Sequence, residues 1–228
     1  YQQKYIDRNV EYVIGRNNYP KREKLPSVYD ADEIRRIEDT VEQSSTVGKR
    51  DYAMLLLTTR LGLRSSDIAG LTFRNLDWDR NLICLIQYKT KKIVELPLLT
   101  DVGEALINYL KYGRPVSDLQ QVFLTASAPY RPVNRMIING AVSRTIIASS
   151  VDIKGRKFGP HAMRHTLASQ LLRNGTSLPV ISETLGRSDT QVTMNYLRID
   201  IKSHMQCALD VPLVSINFYE QKGGVFYG

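Results

Sequence analysis

The sequence predicts a mainly α-helical protein with one small three-stranded antiparallel β-sheet, an α+β fold class. Apolar residues recur at helical spacing over most of the 228 residues. Short β-type segments follow one another between residues 76 and 98. Hydrophobic residues make up 43% and charged residues 24% of the chain, a balance typical of a folded protein and not of a disordered or low-complexity one.

The first element of this fold is predicted to follow a linker. Residues 1–20 are poor in Leu and rich in Tyr, Arg and Asn, so they cannot form a core alone. Residues 20–26 are charged and bracketed by prolines, which disfavour helix in the residue before each of them. We therefore expect an interdomain linker here, with the main domain beginning at about residue 25.

Two helices and a short third one are predicted next. Asp30 followed by Glu33 matches a capping box, which opens the first helix. Its apolar face consists of Ile34, Ile37 and Val41. A second helix over about 49–61 is apolar on nearly all sides, so we expect it in the middle of the domain. A turn at Gly62 then leads to a short helix over 64–71.

Three strands and a series of helices complete the pattern. The strands are predicted at 76–78, 82–88 and 93–98, and a cationic turn over 89–92 joins the last two. Further helices are expected at about 100–112, 134–149, 161–174, 178–186, 189–196 and 199–208.

The chain is basic, with 31 Lys and Arg against 23 Asp and Glu and a formal net charge of +8. This surplus suggests a polyanionic partner, although many proteins without one carry as much charge. Neither Cys84 nor Cys207 belongs to a CxxC pair, so no disulfide framework or zinc site is predicted. The apolar runs are far shorter than the roughly 18 residues of a membrane span. Since the chain starts at Tyr1, we expect a fragment of a longer protein, in a reducing, cytoplasmic setting.

Residues 161–165 form the most informative polar cluster. His161, Arg164 and His165 follow a Gly-Pro pair at a predicted helix start and share one face. A His pair four residues apart could bind zinc, but Ala162 stands where a zinc protease has its Glu, and no third ligand is apparent. A helix start that presents His and Arg favours an anion such as phosphate. A solvated helix turn or a buried, hydrogen-bonded His is the alternative.

Three further candidates have structural explanations when taken alone. Arg64 lies in the turn between two apolar helices, where a guanidinium needs an anionic partner, and Asp67 can supply one. Lys89 begins the cationic hairpin turn, and such turns are usually only solvated. Tyr196 lies near a predicted helix end, where a tyrosine usually packs.

Together, the order and spacing of these residues resemble the tyrosine recombinase family, also called the phage integrase family. The resemblance covers about residues 25–200. The matching segments are Leu61-Gly-Leu-Arg64-Ser-Ser-Asp67-Ile, Gln87-Tyr-Lys89-Thr, His161-Ala-Met-Arg164-His165-Thr, Leu185-Gly-Arg187-Ser-Asp and Thr193-Met-Asn-Tyr196. The fold it implies is the family's catalytic core, and the reaction it implies needs neither ATP nor a metal ion.

The resemblance also implies a role for each matching residue in DNA strand transfer. Tyr196 would attack a DNA phosphodiester and form a 3′-phosphotyrosine, with His161 accepting its proton. Arg64 and Arg164 would bind the nonbridging oxygens through their forked N–H donors. Lys89 would be the general acid for the leaving 5′ oxygen.

Three more positions complete the implied site. Arg187 stands where the family usually has His and sometimes Trp. Arginine can donate to a nonbridging oxygen, but it is longer and cannot shuttle a proton at neutral pH. We interpret Arg187 as a supporting phosphate contact, the alternative being a change that slows a step. Asp67 is expected to hold Arg64, and His165 to orient the site or to pack.

Contacts with the DNA backbone are expected from further basic residues, each of which could equally be an ordinary surface residue. They are Lys91, Lys92, Arg131, Arg135, Arg144, Lys154, Arg156 and Lys157. Contacts of this kind make the affinity for DNA decrease steeply as the salt concentration rises.

The resemblance implies a domain organisation and partners as well. Residues 1–24 would end a core-binding domain and its linker, residues 25–208 would form the catalytic domain, and residues 209–228 would be a tail that packs on a neighbouring protomer or in cis. The implied partners are double-stranded DNA, a homo-tetramer on two DNA sites and an accessory DNA-bending protein. No cofactor and no membrane are expected, and the protein would be associated with the bacterial nucleoid.

The functional hypothesis is a site-specific DNA recombinase that integrates or excises a mobile element or prophage. A catalytically silent DNA-binding relative is one alternative, but the presence of Arg64, Lys89, Arg164 and Tyr196 argues against it. A type IB topoisomerase or a telomere resolvase is another, since these enzymes share the pocket but relax or reseal DNA without exchanging partners. The size of the chain favours the integrase.

Overall fold

Seven helices and one small sheet make up residues 27–186, the part of the chain that the computed structural model describes. The elements are α1 Ala31–Asp39, α2 Thr46–Thr59, α3 Ser65–Ala69, β1 Leu76–Asp77, β2 Leu82–Ile86, β3 Ile93–Pro97, α4 Thr100–Tyr112, α5 Arg135–Ala148, α6 Pro160–Arg173 and α7 Leu178–Thr184, with a 3₁₀ turn at Phe73–Asn75. The predicted α+β class with a three-stranded antiparallel sheet is confirmed. The helices expected at 189–196 and 199–208 lie outside the described residues.

Helix α2 is the centre of the domain, as its sequence predicts. Residues 53–59 are all buried, and the helix packs chiefly against α4 and also against α5 and α6. Its buried hydroxyls have partners, since Thr58 donates to the carbonyl of Met54 at 2.9 Å and Thr59 to the carboxylate of Glu38 at 2.7 Å. None of the helices between residues 27 and 186 combines the length and apolar character needed to cross a membrane.

Local capping signals determine where the first two helices begin. The Asp30 carboxylate accepts from the backbone N–H of Glu33, and the Glu33 carboxylate accepts from that of Asp30, so the predicted capping box is confirmed. Helix α2 begins earlier than predicted because Ser45 caps it by accepting from the N–H of Gly48 at 2.9 Å. The prediction relied on the charged residues near 49 and missed the serine.

The sheet has the order β1-β2-β3, and β2 and β3 form a hairpin in which Leu82 pairs with Pro97 and Ile86 with Ile93. Side chains alternate between the core and solvent along both strands. Strand β2 ends two residues earlier than predicted because the chain turns at Gln87, whose N–H donates to the Lys92 carbonyl at 2.9 Å. This turn places the lysines at the end of the hairpin.

The segment that enters α1 is bound to α6 and to the loop that precedes this helix. The backbone N–H of Tyr29 donates to the hydroxyl of Thr166, and the Tyr29 hydroxyl donates to the Lys157 carbonyl, both at 3.0 Å. The Arg156 guanidinium lies 3.9 Å from the centre of the Tyr29 ring and forms an ion pair with Glu33 at 2.6 Å. Arg156, expected among the DNA-backbone contacts, therefore has its guanidinium engaged inside the protein.

The ion pair between Glu33 and Arg156 predicts a pH-dependent contribution to stability. The hydrogen bond from Arg156 lowers the pKa of Glu33 from its ordinary value of 4.5. The pair therefore stabilises the folded state above that pH, and this stabilisation is lost as the pH falls through the lowered pKa. We expect Glu33→Gln, which can keep the capping box, to lower the free energy of unfolding by about 1 to 2 kcal/mol at neutral pH.

Urea denaturation of wild type and variant at neutral pH and at an acidic pH well below 4.5 measures this effect, because the difference should shrink as the pH falls from the ordinary Glu pKa of 4.5 towards the lowered pKa of Glu33. Glu104→Gln, which changes an exposed carboxylate on α4, is the control. An equal loss of stability at both pH values would contradict the assignment.

Candidate active site

Arg64 ends the turn between α2 and α3, and its guanidinium lies near Gln87, Asp67 and the carbonyl of Gly186. The chain can turn here because Gly62 adopts a φ of +60°, a conformation that side chains disfavour. Arg64 Nη1 donates to Gln87 Oε1 at 2.5 Å, and Nη2 lies 3.5 Å from the Gly186 carbonyl oxygen. Asp67, the partner expected from the sequence, forms a longer ion pair with Nη1 at 3.8 Å. Gln87 is therefore a closer partner of Arg64 than the predicted carboxylate.

Asp67 binds the hairpin as well as supporting Arg64. Its carboxylate is fully buried. Oδ1 accepts from the backbone N–H of Tyr88 at 2.8 Å, while Oδ2 is the atom that lies 3.8 Å from Arg64. A buried carboxylate needs both hydrogen bonds and a nearby cation. Asp67 thus joins the base of the hairpin to α3.

Arg164 projects from α6 into the same region and is only 4% exposed. Its guanidinium donates to the carbonyl oxygen of Gly62 at 2.5 Å and to that of Leu185. Both arginines therefore contact the turn at Leu185 and Gly186, and Arg164 also contacts the turn at Gly62 that Arg64 ends. These carbonyl acceptors carry no net charge, so they can hold a guanidinium without neutralising it.

The two histidines occupy successive turns at the start of α6. This helix begins at Pro160, after Gly159 with a φ of +104°, and proline is favoured in the first helical turn. His161 is exposed, whereas His165 is half-buried, and the centres of their rings are 6.3 Å apart. Of the two, His161 is therefore the one that a ligand outside the protein can reach.

The hairpin turn presents lysines next to these groups. Lys89 is exposed, and Lys91 is exposed with its Nζ 4.9 Å from the centre of the Tyr88 ring. The hydroxyl of Thr90 donates to Gln87 Oε1 at 2.8 Å, which fixes the turn to the residue that also contacts Arg64.

Several of the side chains described above line one open cleft of about 1190 Å³. Four of the predicted catalytic residues meet there, namely Arg64, Lys89, His161 and Arg164. Lys91 and Arg135 also line it, and none of its described lining residues is acidic. Guanidinium and ammonium groups at a cleft whose described wall has no carboxylate suit an anion with several oxygen atoms, such as a phosphodiester.

Neutral polar residues of the cleft were missed by the sequence analysis. Asn134 and Asn139 line it, and Ser65 donates to Asn139 Oδ1 at 2.6 Å. Gln87 belongs to a matching segment of the sequence, but its contact with Arg64 spans 23 positions of the chain. No local pattern signals such a contact.

The other basic residues expected to contact DNA are exposed but lie outside the cleft lining. They are Lys92, Arg131, Arg144, Lys154 and Lys157. Arg144 Nη2 lies 3.8 Å from the carboxylate of Asp51. Tyr196 and Arg187 lie outside the described residues, of which Gly186 is the last. Within residues 27–186, no group of three or more His, Cys, Asp or Glu side chains is arranged to hold a metal ion.

Comparison with known proteins identifies several relatives. The chain is 33% identical to "Putative integrase/recombinase y4gC" of Sinorhizobium fredii over 189 residues, which are 82% of this chain and 97% of that protein. It is 29% identical to tyrosine recombinase XerC of Azotobacter vinelandii over 201 residues, covering 84% of this chain and 62% of XerC. A second Sinorhizobium fredii relative, y4rA, is 35% identical over 82% of this chain, which spans 45% of y4rA.

Solved structures show the same fold. The XerA recombinase aligns with a TM-score of 0.66 and 21% identity, over 84% of this chain and 67% of that one. The Tn1549 transposon integrase in complex with a circular intermediate DNA aligns with a TM-score of 0.62 and 19% identity, over 89% of this chain and 70% of that one.

The model of the phage integrase family matches residues 27–202, which include all five segments that carried the resemblance in the sequence. The fold, the residues gathered at the cleft and this match agree. The chain therefore belongs to the phage integrase family of tyrosine recombinases.

Proposed function

We propose that this protein is a site-specific DNA recombinase that cleaves and rejoins double-stranded DNA through a 3′-phosphotyrosine intermediate. The observation that carries the proposal is the convergence of Arg64, Lys89, His161 and Arg164 on one cleft. Tyrosine recombinases are DNA strand-transferring enzymes, and the integrase names of relatives support integration or excision of a mobile element or prophage.

In this proposal the arginines bind the scissile phosphate. Each guanidinium donates to a nonbridging oxygen, and both stabilise the charge that builds up on the phosphorane in the transition state. The hydrogen bonds described for them go to carbonyl and amide oxygens, which carry no net charge, so these bonds hold the arginines without cancelling their positive charge. Arg187, which follows Gly186 in the chain, adds a supporting phosphate contact.

The nucleophile and the proton transfers are assigned to three residues. The phenol oxygen of Tyr196 attacks phosphorus, His161 accepts the phenol proton, and the bond from phosphorus to the 5′ oxygen breaks. Lys89 gives a proton to that 5′ oxygen. The reverse attack by a 5′-hydroxyl of another strand restores the phosphodiester and releases Tyr196. Since one phosphate ester replaces another, the cycle needs no ATP.

Two further residues position these groups. Asp67 holds Arg64 and the base of the hairpin through the contacts at 3.8 Å and 2.8 Å. His165, half-buried one turn after His161, orients the start of α6.

The contacts with the DNA backbone are assigned to exposed basic residues around the cleft. Lys91 and Arg135 line it, and their charge is close to the proposed scissile phosphate. The outer contacts are Lys92, Arg131, Arg144, Lys154 and Lys157. Arg156 is excluded from this set because its guanidinium is bound by Glu33.

The proposal extends to the assembly. Residues 1–24 end a core-binding domain with its linker, residues 25–208 form the catalytic domain, and residues 209–228 pack on a neighbouring protomer or in cis. The active assembly is a homo-tetramer on two DNA sites, assisted by an accessory DNA-bending protein, in the bacterial nucleoid.

The first test is covalent capture of DNA. A nicked suicide duplex, built on sites selected from a random-sequence pool by binding to this protein, should give a protein–DNA band on a denaturing gel. Tyr196→Phe should give no band because it removes the attacking oxygen, whereas Tyr112→Phe, which changes an exposed tyrosine of α4, should retain it. A band that persists in Tyr196→Phe, or its absence in the wild type, would overturn the proposal.

The role of Arg187 is tested by two substitutions. Arg187→Ala should slow cleavage about 10- to 100-fold because it removes one donor to the phosphate, while Arg187→His should stay within about tenfold of wild type because His can also donate. Single-turnover cleavage rates measure both variants, with Arg173→Ala as the control at an exposed arginine of α6. Wild-type cleavage by Arg187→Ala would remove Arg187 from the site.

The salt dependence of DNA binding tests which basic residues contact DNA and which are bound inside the protein. Lys91→Ala should reduce the slope of log K against log salt concentration by about 1, since one phosphate contact is lost. Arg156→Ala should leave this slope unchanged and lower the free energy of unfolding instead. Titrations at several salt concentrations and urea denaturation measure the two quantities. An unchanged slope for Lys91→Ala would contradict its assignment as a DNA contact. A slope change for Arg156→Ala as large as that for Lys91→Ala would contradict the exclusion of Arg156 from the DNA contacts.

A further inference from the structure

Gln87 is a buried polar residue whose side chain connects Arg64 of the cleft with the hairpin and with the turn after α7. It is only 1% exposed. Its Oε1 accepts from Arg64 Nη1 at 2.5 Å and from the hydroxyl of Thr90 at 2.8 Å. Its Nε2 donates to the carbonyl oxygen of Leu185 at 3.2 Å. One side chain therefore joins the hairpin, the α2–α3 turn and the turn that follows α7.

These partners determine which way the amide must point. Arg64 and Thr90 are donors at Oε1, while the Leu185 carbonyl requires a donor at Nε2. Glutamine is the side chain that offers both groups at this reach. A buried amide with all its partners in place favours one arrangement of the groups around it.

The turn after α7 packs directly on this amide. Gly186 has a φ of +56°, and a Cβ added to it would collide with the side-chain amide of Gln87. The Leu185 carbonyl that accepts from Gln87 also accepts from Arg164. A displacement of Gln87 would therefore disturb Arg64 directly and Arg164 through this shared carbonyl.

The charge of the group that accepts from Arg64 matters as much as the position of that group. Gln87 holds Arg64 with a neutral oxygen at 2.5 Å, whereas the carboxylate of Asp67 lies farther away, at 3.8 Å. A carboxylate at the closer position would form a charge-assisted hydrogen bond and would offset the positive charge that a phosphate must meet.

We propose that Gln87 is a positioning residue for cleavage, which fixes Arg64 and the turn at Leu185 and Gly186 relative to the hairpin of Lys89 through hydrogen bonds of a neutral amide. This inference rests on the proposed function. It predicts that Gln87 affects the rate of the chemical step at saturating DNA and has little effect on DNA affinity.

The test compares Gln87→Met and Gln87→Glu with wild type on the suicide duplex. Gln87→Met keeps the approximate volume and removes all three hydrogen bonds. Gln87→Glu keeps the acceptor for Arg64 and Thr90 but adds a negative charge. Single-turnover rates at saturating DNA, DNA Kd values and Tm are measured, with all rates taken well below each Tm. The control is Gln120→Met, an exposed glutamine whose Nε2 donates to the Asp118 carbonyl.

Both Gln87 variants should cleave about 10- to 100-fold more slowly than wild type, because small misplacements in a site have effects of this size. Their Kd values should stay within about threefold of wild type, and Gln120→Met should match wild type in both quantities. If Gln87→Met does not fold, Gln87→Glu carries the test.

Two results would overturn the role of Gln87 alone: a wild-type rate in Gln87→Glu or in folded Gln87→Met, or a loss confined to Kd. Both presuppose a wild-type protein that forms the adduct. Absence of the adduct in the wild type would instead overturn the proposed function, and the role of Gln87 with it.

Discussion

Two guanidinium groups are held in one small region of the protein, and the hydrogen bonds described for them go to neutral carbonyl and amide oxygens. The candidate site depends on this arrangement. Arg164 is 4% exposed and the side chain of Arg64 is 16% exposed, so both have lost much of their hydration. Hydrogen bonds must offset that loss. The acceptors at 2.5 Å are the Gly62 carbonyl and the Gln87 amide, while the carboxylate of Asp67 lies at 3.8 Å. A phosphate that enters the cleft would meet cations that are fixed in place and still attract it.

The same constraint explains why glycine stands at positions 62 and 186, in two of the segments that resemble the family. Gly62 and Gly186 have φ values of +60° and +56°. A Cβ on Gly62 would approach Leu185 Cδ2 to 2.9 Å, and a Cβ on Gly186 would collide with Gln87. A larger residue at either position would press on these side chains and would also be strained by the positive φ. Glycine therefore serves at these positions both by its lack of a side chain and by its conformational freedom.

Much of the fold could be predicted because its signals are local. The capping box at Asp30, the buried helix α2 and the hairpin that carries Lys89 each follow from a few neighbouring residues. The contacts of Arg156 and Gln87 could not be predicted, because they depend on tertiary packing. Arg156 looked like a DNA contact by its charge, yet its partner Glu33 lies 123 positions away. The order of the predicted catalytic residues suggested a common site, but only the packing of α2, α6 and the hairpin shows the cleft that Arg64, Lys89, His161 and Arg164 share.

The central claim is that this cleft activates one phosphate for attack by Tyr196. The most direct measurement is mass spectrometry of the adduct formed on suicide DNA, after digestion with trypsin and a nuclease. The account predicts a peptide that carries a nucleotide on the phenol oxygen of Tyr196, joined through a 3′-phosphate. A nucleotide on any other residue, or a 5′-phosphate linkage, would contradict it.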